Sequence, residues 1–205
     1  MSEMNQEAIY FDYRITGQEE YDKLTVLVQF RYGDADGPAI LLEAPAKVEL
    51  DGETFPADSS ALITGTFYEL HKPISAFEGK HRIVFTNFEK KQYKEEFKFK
   101  PLALVTTIPD TLHHKDLVLE LTGLDEEDSV RLLLTDTSRN DGINKITETV
   151  NGKFTISKYD LDELTNGPVQ LELVMEKERP LKNHTEAGGQ LFIIYSLKRE
   201  FVLRD

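Results

Sequence analysis

Five histidines are the side chains of this sequence best suited to proton transfer or metal binding, and they are His71, His81, His113, His114 and His184. No His-Glu-x-x-His stretch occurs, and no two histidines are four positions apart, as two metal ligands on one helical face would be. His113 and His114 are adjacent, and neighbouring side chains on a strand point to opposite faces, so they would not hold one ion together. We expect both to be exposed loop residues; the alternative is a weak site in the turn after Pro109.

Three acidic segments share some features of calcium-binding loops. Segment 34–37, Asp-Ala-Asp-Gly, combines carboxylates with a glycine turn but lacks the third ligand and the distal glutamate of an EF-hand. Segment 136–148 has EF-hand spacing at Asp141, Gly142 and Glu148. Its first and third ligand positions are Thr137 and Arg139, and an arginine repels calcium. Segment 125–128 holds four carboxylates, which either a cation or solvent would stabilise. We interpret all three as solvated polar loops and predict no metal site.

The motifs that activate nucleophiles or bind nucleotides are missing from the sequence. There is no Gly-x-Ser-x-Gly, no Gly-x-x-x-x-Gly-Lys-Ser/Thr and no Gly-x-Gly-x-x-Gly. The absence of cysteine excludes disulfides, thiolate metal sites and a cysteine nucleophile. Any two of the 37 acidic residues could converge as a catalytic pair, but nothing in their spacing selects one. We therefore expect no catalytic residues and no cofactor.

Aromatic and basic side chains are the remaining groups that could bind a partner. Because the chain has no tryptophan, an aromatic sugar-binding platform would have to use tyrosines, and the candidates are Tyr10, Tyr32, Tyr68, Tyr93 and Tyr159. Most of these lie in strand-like segments, so we expect them to be half-buried. Lys94, Lys98 and Lys100 would share one face of a strand, opposite its aromatic residues. We interpret these lysines as protection of an edge strand against aggregation.

Charge excludes two classes of partner. The 205 residues carry a formal net charge of −13, with 18 acidic and 12 basic side chains in residues 1–100 and 19 and 12 in residues 101–205. Neither half offers the basic surface that phosphate backbones or anionic membranes attract. No apolar run approaches the roughly 18 residues of a membrane span. We expect a monomer with no nucleic-acid partner and no membrane-spanning segment.

The elements that would position these side chains are strands. Apolar and polar residues alternate over Ile9–Ile15, Leu24–Phe30 and several later segments. The one promising helical signal is a single turn over Ser157–Leu164, with Ser157 as its N-cap. Many short strands with few helices predict an all-β sandwich or barrel.

Two dipeptides between alternating segments predict hairpin turns. Asp51-Gly52 would join 48–50 to 54–55, and Asn151-Gly152 would join 146–150 to 154–156. The lengths of these segments match short antiparallel strands.

The two halves share a local pattern that favours two domains. Gly79 and Gly167 lie 88 positions apart, and each follows two spaced apolar residues and precedes an alternating strand. A glycine there would supply an unusual backbone angle where the chain turns across the end of a sandwich. We divide the chain into a polar leader (1–8), one sandwich (9–103) and a second sandwich (104–205).

The segment Glu78-Gly79-Lys80-His81-Arg82-Ile83 is similar to the corner before the penultimate strand of immunoglobulin-like domains, whose pattern is acidic-x-Gly-x-Tyr-x-Cys or a shortened form. His81 stands where tyrosine is usual, and Ile83 where cysteine is usual. The resemblance therefore implies that the tyrosine hydroxyl bond is lost or replaced by an imidazole, and that no inter-sheet disulfide forms. It implies two consecutive immunoglobulin-like β-sandwich domains without the buried tryptophan.

The polar start before Ile9-Tyr10-Phe11-Asp12-Tyr13, and Gly188-Gly189-Gln190 before a late apolar strand, resemble the tandem β-sandwich surface lipoproteins of diderm bacteria. This resemblance implies a cell-envelope or periplasmic location, lipid anchoring of the full-length protein, and a protein or glycan partner at the cell surface. The function predicted is a non-enzymatic binding or scaffolding module.

Two alternatives to that function stay open at this point. One is an enzyme or enzyme accessory with a site in the interdomain cleft, near His113 and His114. The other is a subunit of a surface assembly that exchanges strands.

Overall fold

The computed structural model describes residues 4–59, 65–125, 128–137 and 142–205. Within these residues the chain forms sixteen β-strands, one five-residue α-helix and three short 3₁₀ turns. The prediction of an all-β fold is confirmed. Among the same residues, no helix combines the length and the apolar character that crossing a bilayer requires.

Among the described strands, the last two in the chain are the longest. In chain order they are β1 (Ile9–Gln18), β2 (Lys23–Tyr32), β3 (Lys47–Leu50), β4 (Glu53–Thr54), β5 (Ala57–Ser59), β6 (Thr66–Pro73), β7 (Gly79–Thr86), β8 (Gln92–Phe99), β9 (Ala103–Leu104), β10 (Thr111–His113), β11 (Leu117–Thr122), β12 (Ser129–Thr135), β13 (Ile143–Glu148), β14 (Lys153–Ile156), β15 (Gly167–Pro180) and β16 (Gly189–Arg204). The helix α1 is Lys158–Asp162, and the 3₁₀ turns are Gln6–Ala8, Glu19–Tyr21 and Ile74–Ala76.

The chain forms two compact units that interleave along the sequence. The first contains Met1–Thr16, Lys23–Phe99 and Lys177–Ile193. The second contains Gly17–Asp22, Lys100–Glu176 and Ile194–Asp205. The chain passes from the first unit to the second between Phe99 and Lys100, near the predicted division at 103–104. The other divisions differ from the predicted consecutive ranges. Strands β15 and β16 are 14 and 16 residues long and each contributes to both units, and segment Gly17–Asp22, which begins within β1, belongs to the second unit.

In the first unit two sheets face each other. Their strand orders are β16-β1-β2-β6-β5 and β4-β3-β7-β8. Phe30 of β2 and Phe85 of β7 have ring centroids 4.4 Å apart, and Phe11 of β1 lies 5.1 Å from Phe85. Since aromatic side chains from both sheets contact each other in the core, this unit is a β-sandwich.

In the second unit the strand orders are β13-β12-β15-β16 and β14-β11-β9. Strand β10 pairs in parallel with the end of β16. Along β12, Val130, Leu132 and Leu134 are fully buried and alternate with more exposed residues. The helix α1 begins at a capping box, in which the Ser157 side chain accepts from Asp160 N and the Asp160 carboxylate accepts from Ser157 N. Ser157 is therefore the N-cap that the sequence predicts.

Both predicted hairpin turns form, but only one joins two paired strands. The φ angles are 51° and 91° at Asp51 and Gly52, and 53° and 74° at Asn151 and Gly152, as tight primed turns require. Asp51-Gly52 joins the paired strands β3 and β4. The predicted pairing of 146–150 with 154–156 is wrong. Apart from one bridge at the turn, β13 pairs with β12 and β14 with β11, because each strand buries its apolar face in a different sheet.

Gly79 and Gly167 have nearly the same backbone conformation, with φ of 137° and 138°. Each is the first residue of a core strand, β7 or β15. The shared sequence pattern around them therefore corresponds to a shared backbone turn, at angles that residues with a side chain rarely adopt.

Candidate binding groove

A groove of about 490 Å³ opens on the surface of the first unit, where β7 and β8 lie beside the β3–β4 turn. Its lining residues are Asp51, Lys80, His81, Arg82, Glu96, Phe97 and Lys98. Five of these seven side chains carry a full charge at neutral pH, so the groove is suited to a polar ligand.

The antiparallel register of β7 and β8 sets which side chains lie together. Lys80 is opposite Lys98, and Arg82 is opposite Glu96. Because alternate residues of a strand share a face, these four side chains project from the same face of the sheet. All four are exposed, whereas Phe97, on the other face, is 6% exposed.

Four charged side chains of this face have no side-chain partner among the described residues. In the part of the chain that the structure describes, Lys80, Arg82, Glu96 and Lys98 form no side-chain ion pair or hydrogen bond. Like charges directly opposite each other on neighbouring strands repel, so the Lys80–Lys98 pair is unfavourable for the sheet by itself. An anion placed between the two ammonium groups would relieve this repulsion.

His81 fixes the end of the groove beside the β3–β4 turn. Its Nε2 donates to the carbonyl oxygen of Phe77 at 2.8 Å, and its Nδ1 lies 2.7 Å from Asp51 Oδ2. The second carboxylate oxygen, Asp51 Oδ1, accepts from the backbone N of Arg82 at 2.8 Å. The imidazole also stacks on the Phe77 ring, with centroids 3.7 Å apart. The sequence left open whether the tyrosine hydroxyl bond of this corner is lost or replaced by an imidazole. The structure shows that the His81 imidazole makes a bond to the backbone there.

The opposite face of β8 contains a buried carboxylate. Glu95 is 1% exposed, and its Oε1 lies 2.7 Å from Arg179 Nη1. Its Oε2 accepts from the backbone N of Lys182 at 2.8 Å. Arg179 Nη2 also donates to the backbone oxygen of Glu96 at 3.1 Å. Strand β8 is the edge strand that its lysines predicted, and Arg179 occupies one acceptor of that edge.

Comparisons of the chain with solved structures give distant matches. No protein family model matches the chain, and no curated protein matches it in sequence. One similar solved structure is that of a bacterial ice-binding adhesin retained on the host cell surface. It is 12% identical with a TM-score of 0.29, over 97% of this chain and 65% of that one.

Two further structures are similar at the same level. Tandem immunoglobulin repeats of Dlar are 8% identical with a TM-score of 0.27, over 91% of this chain and 98% of that one. A Bacteroides ovatus protein, SGBP-B of a mixed-linkage glucan utilization locus in complex with a heptasaccharide, is 14% identical with a TM-score of 0.22. That match covers 85% of this chain and 53% of that one.

His113 and His114 lie in the second unit and contact different groups. His113, on β10, is exposed, and its Nδ1 donates to the backbone oxygen of Asp205 at 2.7 Å. His114 lies between two side chains, with Nδ1 3.0 Å from Asp162 Oδ1 and Nε2 2.9 Å from Asn166 Oδ1. His114, at 19% side-chain exposure, is less exposed than a loop histidine was expected to be.

The acidic segments differ in how fully the structure describes them. In segment 34–37, Asp34 Oδ1 accepts from the backbone N of Asp36 at 2.9 Å, so this carboxylate stabilises its own turn. Residues 126–127 and 138–141 lie outside the described residues, so the predictions for segments 125–128 and 136–148 fall only partly on residues that the structure describes. Among described residues, no group of three or more histidine, aspartate or glutamate side chains could hold a metal ion.

The tyrosines that could form a sugar platform are dispersed. Tyr68 and Tyr93 are buried, Tyr10 is half-buried, and Tyr32 and Tyr159 are 40% and 80% exposed.

The Tyr93 hydroxyl donates to Glu7, which also pairs with Lys91 at 2.8 Å. The largest cause that shifts the pKa of the Glu7 carboxyl is its hydrogen bond with the Lys91 ammonium, which lowers it.

The groove itself is absent from the sequence-based predictions. A local signal exists, since Lys80-x-Arg82 and Glu96-x-Lys98 both place charges at alternate positions of a strand. The register of β7 and β8 places Lys80 beside Lys98 and so brings these charges together. The spacing of residues along the sequence does not reveal that register.

Proposed function

We propose that the chain is a non-catalytic binding module of the bacterial cell envelope, and that its ligand occupies the groove between the β3–β4 turn and strands β7 and β8. The observation that carries the proposal is the face on which Lys80, Arg82, Glu96 and Lys98 are exposed and without partners in the described protein. Charged groups that stabilise nothing within the fold are available to a ligand.

For two of the five histidines, His81 beside the groove and His114 in the second unit, the contacts support a structural role over that of a general base. A general base needs a free nitrogen within reach of a substrate proton. His81 directs its two ring nitrogens at Phe77 O and Asp51, and His114 directs its two at Asp162 and Asn166. Both imidazoles therefore hold neighbouring elements together, and neither has a nitrogen facing open solvent.

The positions of β1 and β16 count against the donation of either strand to another chain. The first and last strands, β1 and β16, are both interior strands, since β1 lies between β16 and β2 and β16 lies between β15 and β1. Exchange of either strand would break two ladders of backbone hydrogen bonds. A terminal strand at a sheet edge would exchange at a lower cost.

Envelope attachment through a lipid is the part of the proposal that comes from the sequence resemblance alone. It predicts an export signal and a lipid-modified cysteine encoded upstream of the segment Met1–Ala8. Radiolabelled palmitate incorporated into the full-length protein expressed in its native bacterium would support this. A cytosolic product without lipid would remove the envelope from the proposal and leave the binding groove in place.

The groove is tested with two variants that change charge equally. Lys98→Glu alters the groove, whereas Lys94→Glu alters an exposed lysine of the same strand and face that does not line it. Both variants and the wild type would be applied to an array of neutral and acidic oligosaccharides and acidic peptides. We expect a ligand that binds the wild type and Lys94→Glu but is lost with Lys98→Glu. Equal binding by all three proteins would contradict the proposed site.

A further inference from the structure

We infer that the ligand of this groove is an acidic oligosaccharide, a sugar chain that carries carboxylate or sulfate groups at intervals. The inference rests on the proposed function and adds the chemical class of the ligand. It is carried by the composition of the exposed face, by the edge of β8 and by the net charge of the chain.

The cations of the face indicate that the ligand carries anionic groups. Lys80 and Lys98 are direct cross-strand partners, and Arg82 is two residues from Lys80 on the same face. Directly opposite residues on antiparallel strands have Cβ atoms about 5 Å apart, so a single carboxylate or sulfate reaches both ammonium groups. The guanidinium of Arg82 adds donors that can bind a carboxylate in a bidentate manner.

The carboxylates of the groove indicate that the ligand also carries hydroxyl groups. Asp51 is already occupied, since its oxygens face His81 Nδ1 and the backbone N of Arg82. Glu96, opposite Arg82, is the unpartnered carboxylate among the lining residues in the described chain. A carboxylate only accepts hydrogen bonds, so beside three cations it suits the hydroxyl donors of a sugar. A ligand with anionic groups alone would be repelled by Glu96.

The edge of β8 argues for a sugar over an acidic peptide strand. A peptide that extended this sheet would need the free backbone groups of β8. Arg179 Nη2 already donates to the backbone oxygen of Glu96 at 3.1 Å, and Arg179 is held there by the buried Glu95. Recognition at this position therefore uses side chains that project from the face.

The net charge of the chain sets the charge density of the ligand. At −13, the protein repels a dense polyanion over the distances that salt leaves unscreened, about 8 Å at physiological ionic strength. A sugar chain with one anionic group for every one or two residues places few charges near the protein and pairs them at the groove.

The test is calorimetric titration of the intact chain with a galacturonic acid tetrasaccharide and with its fully methyl-esterified form. These probes share shape and most hydroxyls and differ in charge. We expect the acid to bind the wild type and Lys94→Glu roughly tenfold or more tightly than the ester, since one charge-assisted contact is worth about that factor. With Lys98→Glu the preference for the acid should vanish.

The outcomes separate this inference from the proposed function. Equal binding of acid and ester, lost with Lys98→Glu, would overturn the acidic class and keep the groove as a sugar site. Binding of tetraglutamate in preference to the acidic sugar would overturn the sugar class. Failure of both sugars and the peptide to bind would overturn the inference, whereas the proposed groove would still be decided by the array. Circular dichroism and unfolding curves of each variant would show whether it is folded.

Discussion

His81 Nε2 and the carbonyl oxygen of Phe77 are 2.8 Å apart, across a corner in which the two aromatic rings are also stacked. One imidazole thus makes the backbone bond that a tyrosine hydroxyl makes in the similar immunoglobulin corner. Its other nitrogen faces Asp51 in the turn between β3 and β4. The corner, the hairpin turn and the first residues of β7 are therefore coupled through a single side chain, which sets one end of the groove.

Replacement of this imidazole should destabilise the protein measurably. His81→Ala removes two hydrogen bonds and the stacking contact with Phe77, and we expect a loss of about 2 kcal/mol in the free energy of unfolding. His71→Ala is the control, because His71 is exposed and its contacts with Glu69 and with Thr25 Oγ1 lie at the surface, where each should contribute less than about 1 kcal/mol. Urea denaturation of both variants checks this. Equal effects would mean that the corner does not depend on His81.

The buried ion pair behind the groove gives a second prediction. Glu95→Ala leaves Arg179 and the backbone N of Lys182 without their acceptor, so the free energy of unfolding should fall by about 2–4 kcal/mol. Glu96→Ala, one residue further along β8 and exposed, should change it by less than about 0.5 kcal/mol. The comparison is made by chemical denaturation. A Glu95→Ala variant as stable as Glu96→Ala would show that the pair is dispensable.

Alkaline pH should weaken the second unit through Tyr195. Burial, together with the charges of Glu19 and Asp22, raises the pKa of the Tyr195 hydroxyl to about 12. Unfolded tyrosine has a pKa near 10. A group with a raised folded-state pKa contributes its full stability below the unfolded pKa and loses it as pH rises through the folded value. We therefore expect the free energy of unfolding to decline between pH 10 and pH 12.

The contribution of Tyr195 can be isolated by substitution. Tyr195→Phe should reduce the decline between pH 9 and pH 11 by about 1 kcal/mol. Tyr159→Phe removes a phenol of the same unit that is 80% exposed and serves as the control. Urea unfolding at the two pH values measures the decline. The same slope in wild type and Tyr195→Phe would contradict the assignment.

The two equivalent glycines give a matched pair of substitutions. At φ of 137° and 138°, an alanine at Gly79 or Gly167 is strained even where no atom obstructs its Cβ. Each substitution should cost about 1–3 kcal/mol in unfolding free energy. Glu78→Ala, at the exposed residue directly before Gly79, is the comparison. Thermal unfolding of the three variants checks the expectation, and an unchanged Gly79→Ala variant would show that the turn tolerates a side chain.

The sequence could predict what depends on neighbours along the chain. Alternation in β8 identifies Tyr93, Phe97 and Phe99 as core residues, and all three are buried. Glu95 occupies the remaining buried position of that strand, and its partner Arg179 is 84 positions away, so no local pattern reveals the pair.

Long strands also limited what the sequence could predict about organisation. The alternation in β15 and β16 identifies them as strands, but their two ends belong to different units. The groove could not be predicted for a related reason, because the pairing of Lys80 with Lys98 follows from the register of β7 and β8. Turn chemistry and burial are local, whereas register and sheet membership are decided by packing between distant segments.

Nuclear magnetic resonance would locate the bound ligand on the protein directly. Amide resonances of the ¹⁵N-labelled chain would be followed while the galacturonic acid tetrasaccharide is added. We predict concentration-dependent shifts at Lys80–Arg82, Glu96–Lys98 and the Asp51-Gly52 turn, and none around His114. Shifts clustered around His114, or anywhere else outside the groove, with the groove amides unchanged, would contradict the assignment of the groove as the ligand site.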